Sequence, residues 1–397
     1  MKKSILLYLL PLGLFGQTAP MLRAHVEFLA SDDMHGRPCP SEYCDLAADY
    51  VLAHLRGAGL ETQVQTSEAV FEIRRGEVVV RPATIKLPDE MMVMNIPATV
   101  DPEGKLTTRF GGVVIEKNPE LDPIYAATGQ VRVTNIPAGQ RNVIGVLKGR
   151  DPVLRNTYVL VTAHYDHIGE KKDATGDTIY NGANDNASSV SALIEIARAM
   201  SAALVKPRRS VVFIAYFGEE RGLVGSRYYA AHPVFPIEKT YAQVNLEQLG
   251  RTDDVEGPRV KAATLTGWDR SDVGTILAAA AKPLGIRIYK HEKYSEEFFE
   301  RSDNEALVKL GVPAHTVSVA YGFPDYHGLG DEAGKLDYAN MTAVSRAVRA
   351  GIGALANRTL KLTLREGSPA VSAPKSGSSP ASPKPKQSKP LLKPQSH

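Results

Sequence analysis

From residue 140 onward the chain alternates short apolar runs with stretches in which apolar residues recur every three or four positions. Asn142 to Leu147, Tyr158 to Ala163, Val211 to Phe217, Tyr241 to Glu247 and Ala314 to Ala320 have the length and composition of buried strands. Between them Val190, Leu193, Ile194, Ala197 and Met200 share one face of a helix, and a second helix is expected near Asp272 to Ala281. The last helix starts at Asp337, an N-cap, and carries Met341, Val344, Val348, Ile352 and Leu355 on one stripe. This alternation predicts an α/β fold, with a mixed, largely parallel central sheet flanked by helices. Ligands of such sheets collect at the carboxyl ends of the strands.

The first third reads differently. Leu22, Val26 and Leu29 mark one helical face, and a second helix from about Asp45 to Arg56 is expected to stop at Gly57. Residues 68–140 then hold β-branched stretches (Val78 to Val80, Gly112 to Ile115) between prolines and charged turns. They read as a β-rich insertion within a single catalytic body spanning 20–366.

The two ends are of another kind. Met1-Lys2-Lys3, the short apolar run Ile5 to Phe15 and the small residues up to Ala19 have the pattern of a signal peptide, residues 1–19. The run is too short to span a bilayer, so a secreted or periplasmic protein with no transmembrane segment is expected. Cleavage after Gly16 and after Ala19 both fit. Residues 367–397 contain seven prolines, five lysines and no acidic residue, a composition that predicts disorder. Those lysines exceed the whole net charge of +3, so the body itself is mildly acidic and no nucleic-acid partner is expected. The two cysteines, Cys39 and Cys44, are spaced for a small loop-closing disulfide in an oxidising compartment, with two free thiols as the alternative.

Against this frame the chemistry-bearing residues fall in order at predicted strand ends. They are His164 and Asp166 in VTAHYDHIG, Asp185 in NGANDNASS, Glu219 and Glu220 in FGEERGLVGS, Glu247 in NLEQLG and His327 in DYHGLGDE. Singly each has an ordinary explanation: a structural histidine, an N-cap aspartate, a solvated acidic pair. Together they supply two imidazoles, three carboxylates and a spare glutamate, the inventory of a two-zinc hydrolase. Two zinc ions would also neutralise carboxylates that otherwise repel one another. Asp166, two residues beyond His164 on an extended segment, is placed to hold its imidazole.

The series HYDH, GANDN, EERGLVGS, NLEQLG and YHGLGDEAGKLDY resembles the secreted dizinc aminopeptidases of peptidase family M28, relatives of glutamate carboxypeptidase and glutaminyl cyclase. The similarity covers roughly residues 20 to 356 and includes HVEFLASDDMHGRPCP and SDNEALVKLGVPA. It implies the zinc-exopeptidase fold and two Zn²⁺ ions: His164 and Glu247 as terminal ligands of one, Glu220 and His327 of the other, and Asp185 bridging. It further implies Glu219 as general base, Asp166 as partner of His164, Tyr326 as the phenol that polarises the substrate carbonyl, and a cis peptide after Asp185. Two departures stand out: Glu247 replaces the aspartate of most relatives, and Asn304 stands where histidine commonly follows the Ser-Asp pair.

The activity so implied is removal of N-terminal residues from peptides with a free N-terminus. A one-zinc glutaminyl cyclase is the first rival, and a carboxypeptidase on short acidic peptides, with Arg301 as a candidate grip for the terminal carboxylate, is the second. A receptor-like module that has lost its metals is a third, disfavoured by the complete residue set. Tyr294, Phe298 and Phe299 either wall a specificity pocket or form ordinary core. The residue preferred at the substrate's N-terminus and the oligomeric state are not legible.

Overall fold

The computed structural model describes residues 17–75, 78–80, 82–84, 91–100, 105–108, 111–115, 129–171, 176–363 and 365. The tail read as disordered (367–397) and residues 1–16 of the segment read as a signal lie outside them. Gln17 is buried and its carbonyl accepts hydrogen bonds from Arg346, while Ala19 is the first residue of a helix.

An eight-stranded sheet forms the centre. Its strands are β1 Glu61–Thr66, β2 Arg141–Leu147, β3 Tyr158–His164, β4 Ser210–Tyr216, β5 Thr240–Glu247, β6 Ala262–Leu265, β7 Arg287–Tyr289 and β8 Ala314–Ser318. Their order across the sheet is β1-β2-β4-β3-β5-β8-β6-β7. The middle four, β4, β3, β5 and β8, run parallel, while β1, β2 and the β8–β6 pairing are antiparallel, so the sheet is mixed with a parallel heart. Both faces are covered, which is why β3 and β4 read as apolar runs. Val159, Val161, Ala163, Val211, Phe213 and Ala215 enter one core with the long helices, and Leu160, Val212, Ile214 and Tyr216 enter the other.

The helices follow from their apolar stripes and their caps. They are α1 Ala19–Leu29, α2 Glu42–Gly57, α3 Ser188–Ala202, α4 Val224–Ala231, α5 Val273–Ala281 and α6 Tyr338–Asn357. Asp337 caps α6 through its side chain, accepting from the Asn340 N–H at 2.9 Å. α2 begins three residues before the expected Asp45, because Ser41 accepts the Cys44 N–H and caps the helix there. Cys39 and Cys44 are joined by a disulfide at this entry. The turn beyond α2 is made by Gly59, at φ +79°, rather than by Gly57, the last helical residue.

β1 was not legible as a strand. ETQVQT is largely exposed, since it is the outermost strand and pairs only with β2. Within 68–140, strands between Val70 and Ile136 make a second, seven-stranded antiparallel sheet. It rests on the loop after β4: the Val93 N–H donates to the Arg221 carbonyl at 2.9 Å, and the Arg227 guanidinium donates to the Val93 carbonyl. Gly222, at φ +102°, is required for that approach, because a Cβ there would stand 2.2 Å from the Val93 oxygen. The insertion therefore braces the segment that carries Glu219 and Glu220.

β8 also carries a titration that should govern acid stability. His315 is fully buried, with Nδ1 donating to the Thr266 carbonyl at 2.8 Å. Its Nε2 therefore accepts from the Ser271 hydroxyl at 2.6 Å, and a second ring proton would have to displace that hydrogen bond. Burial pushes its pKa down from 6.5 to about 4. Below pH 6.5 the unfolded chain takes up a proton that the folded one refuses, so stability falls as pH drops from 6.5 towards 4. The expected loss is at most roughly 3 kcal/mol. Urea unfolding followed across this range should show that slope, and the slope should flatten in His315→Asn.

Candidate functional site

Four strand ends deliver the site. His164 is the last residue of β3 and Glu247 the last of β5. Thr162 and Asn245 are register partners, so the residues two further on stand side by side on one face. Glu219 and Glu220 follow β4, and Tyr326 and His327 lie on the loop beyond β8. Asp185 comes from the turn that precedes α3. The structure gathers Asp185, Glu220, Glu247, His164 and His327 around two neighbouring points.

At the first point, His164 Nε2 lies 3.4 Å from Asp185 Oδ1 and 3.3 Å from Glu247 Oε2. At the second, His327 Nε2 lies 3.3 Å from Asp185 Oδ2 and 3.2 Å from Glu220 Oε2. Asp185 thus gives one oxygen to each. Donors bound to one tetrahedral zinc at about 2.0–2.1 Å stand roughly 3.3–3.4 Å from each other. The observed spacings match that edge, and exceed the ~2.7–2.9 Å of a charge-assisted hydrogen bond. His164 Nδ1 donates to the backbone carbonyl of Asp166 at 3.2 Å, leaving the Nε2 lone pair facing two carboxylates. A lone pair so placed needs a cation or a proton between it and the oxygens. The residues fit a pair of bound divalent cations.

Electrostatics say the same. Although burial opposes it, Asp185 and Glu220 push His327 up to about 11, and Glu247, Glu219 and the aspartates raise His164 well above its usual range. The protons do what a metal would do. Glu219 behaves oppositely. Burial raises its carboxyl well above the usual carboxylate range, reinforced by Glu220, Glu247 and Asp303 and only partly offset by His164. Among the described residues none hydrogen-bonds the Glu219 carboxyl. The Asp166 carboxylate lies 3.6 Å from His164 Nδ1 and accepts the backbone N–H groups of Glu219 and Glu220 at 3.1 and 3.3 Å. It therefore orients the acidic pair at least as directly as it orients the imidazole. The Tyr326 ring stacks on His327, with centroids 4.0 Å apart, and is part-exposed at the rim.

A family model for peptidase family M28 matches residues 142–352, more than half of the chain and every one of these site residues. The chain belongs to peptidase family M28. Over 157 residues it is 32% identical to aminopeptidase YwaD of Bacillus subtilis, covering 39% of this chain and 32% of that protein. It is 33% identical over 170 residues to a probable zinc metalloprotease of Pyrenophora tritici-repentis, covering 39% and 37%. This M28 chain thus spans about a third of the length of the curated relatives it matches. In fold it is similar to a zinc aminopeptidase from Bacillus subtilis (TM-score 0.59, 16% identity, 87% of this chain and 97% of that one). It is also similar to Porphyromonas gingivalis glutaminyl cyclase (TM-score 0.54, 16% identity, 84% and 97%).

Several residues that sequence reasoning passed over hold this M28 site in shape. Asp331 accepts the backbone N–H groups of Asn184 and Asp185 at 2.9 Å each, tying the His327 loop to the Asp185 turn. Asn184 Oδ1 accepts from Gly250 and Arg251, and Asn186 accepts from Gln248 while donating to the Leu246 carbonyl, so the turn is stitched to the end of β5. The peptide between Asp185 and Asn186 is cis. Arg37, buried in HGRPCP, donates to the carbonyls of Leu29, Tyr165, Asn181 and Gly182, drawing the turns that carry His164 and Asp185 together. Burial lowers its pKa to about 10. Ser302 donates to Glu247 Oε1 at 2.5 Å while accepting from Asn245, and Asn304 bonds Phe299, Ala314 and Thr316 away from the ligand atoms. His167, present in the HYDH motif, has its Nδ1 2.7 Å from Glu220 Oε1. The pairings of Asp331, Ser302 and His167 have no sequence signal, because each joins segments more than 50 positions apart in the chain.

Of the aromatic trio, Phe299 is core, packed near His315. Tyr294 and Phe298 pack with Tyr321, on the segment that leads to Tyr326. Arg301 lies over the Phe298 ring.

Asp331→Asn turns an N–H group towards one of two buried backbone donors. We expect it to lower the unfolding free energy by about 1–3 kcal/mol, read from the shift of the urea midpoint at neutral pH.

Proposed function

We propose that this M28 chain is a dizinc aminopeptidase that hydrolyses N-terminal residues from peptides. The observation that carries the reading is the division of Asp185 between two imidazole–carboxylate sets, each at the donor spacing of a tetrahedral cation, beside an unpaired Glu219. His164, Asp185 and Glu247 would hold one zinc, and Asp185, Glu220 and His327 the other. Zinc, when bound, supplies Lewis acidity towards water and the substrate carbonyl.

The remaining work falls to the chain itself. Glu219, held by Asp166 through its backbone and free at its carboxyl, takes the proton of the attacking water and passes it to the leaving amine. Tyr326, at the rim, donates its phenol hydrogen to the oxyanion that develops on the scissile carbonyl. The Cys39–Cys44 disulfide suits an oxidising compartment, and export is part of the reading. Among the described residues no helix is long and apolar enough to cross a membrane.

The fold likeness to a glutaminyl cyclase makes that rival worth testing directly. Metal analysis of the purified protein should find two zincs, and mass spectrometry of peptides beginning with leucine, glutamine or glutamate should find free N-terminal amino acids. One zinc with loss of ammonia from the glutamine peptide alone would select the cyclase, and release from the other end a carboxypeptidase. Glu219→Gln should keep both metals and lose about 10²–10⁴-fold in turnover. A lost metal in that variant would mean that Glu219 is a ligand.

A further inference from the structure

Glu220 and Glu247 play equivalent parts in the two sets, and each uses only one oxygen there. Glu247 presents Oε2 to His164 while Oε1 accepts from Ser302. Glu220 presents Oε2 to His327 and Asp185, and its Oε1 faces His167 Nδ1 at 2.7 Å. A ring nitrogen that close to a carboxylate oxygen carries the hydrogen and donates it. His167 Nε2 is buried with no partner among the described residues, so the contact to Glu220 is the ring's single protein hydrogen bond.

The ring is also fixed sterically. His167 is fully buried, its backbone N–H donates to the Arg37 carbonyl, and its ring lies edge-on to His327 with centroids 5.6 Å apart. Gly182 forms its wall: a Cβ there would stand 2.4 Å from the Asp185 carbonyl oxygen and 2.5 Å from two ring carbons, and Gly182 is itself at φ +60°. His167 therefore touches both Glu220 and His327, and its ring stands with Asp185 and Glu220 at the second point, with donor atoms within 4.8 Å of one another.

We propose that His167 is a positioning residue for the second metal: it holds Glu220 as a one-oxygen ligand and so sets the affinity of that position alone. This rests on the dizinc reading above. Partners of metal-binding carboxylates and imidazoles typically contribute about 10–100-fold in metal affinity. A glutamate released from His167 could rotate, offer both oxygens or swing away, and it would lose the orientation that places Oε2 beside Asp185.

The test is calorimetric titration of zinc into the full-length protein after chelation, with thermal unfolding as a control for folding. Wild type should show two binding events. His167→Ala should weaken one of them by about 10–100-fold and leave the other unchanged. His167→Asn, whose amide N–H can occupy the Nδ1 position, should recover most of that loss. The proposal is overturned if both events survive in His167→Ala, if both weaken together, or if asparagine rescues nothing. Fewer than two events in wild type would instead overturn the dizinc reading, and this inference with it.

Discussion

Asp185 is the constraint on which the rest depends. A carboxylate that serves two partners through separate oxygens cannot be adjusted for one without being spoiled for the other. Its position has to be set by the backbone rather than found by the side chain. The structure meets this by bonding the main chain on both sides of it: Asp331 takes the N–H groups of Asn184 and Asp185, and the side chains of Asn184 and Asn186 bond the backbone that follows β5. The turn, the Glu247 strand end and the His327 loop are thereby one unit. Each bond is buried, where an unmatched partner is expensive, so the geometry is enforced by the cost of leaving it.

That unit needs a floor that does not move, and the parallel heart of the sheet supplies it. With both faces of β3 and β4 buried, the strand ends have little freedom to shift. Polar residues are nonetheless threaded through this apolar layer. Gln243 donates to Thr162, Thr162 to Asn245, and Asn245 to Ser302, which donates in turn to Glu247. Every hydroxyl in the chain both accepts and donates, so its direction is fixed, and the last hydrogen points at the candidate ligand. The hydrogen bonds among these groups offset much of the cost of burying them, though Gln243 Oε1 is buried without a partner among the described residues.

The parts of this architecture that were legible in the sequence are those written in local pattern. β3 and β4 show as apolar runs because both their faces are covered, and α6 shows as a stripe because only one of its faces is. β1 was hidden for the converse reason: at the sheet edge, Glu61, Gln63 and Gln65 have little to bury, and its strand character comes from pairing with β2. The site divides the same way. His164, Asp185, Glu219, Glu220, Glu247 and His327 stood out because several metal-binding residue types fell at successive strand ends. Asp331, Arg37, Ser302 and His167 did not. A buried histidine directly after an aspartate reads as structural until the fold brings Glu220 across to it from 53 positions away.

Glu247 shows how a departure from the family pattern can be absorbed. A glutamate has one more rotatable bond than the aspartate of most relatives, and freezing it costs side-chain entropy that would weaken any metal bound there. Ser302 removes that freedom by holding Oε1, so that Oε2 is presented to His164 from a fixed carboxylate. Glu220 has the same length and the same problem, and His167 meets it in the same way. The two sets thus share a rule that their ligand residues alone do not reveal. Where a long acidic side chain gives one oxygen to the site, a buried donor from another segment holds the second, and the longer arm is as well defined as a short one.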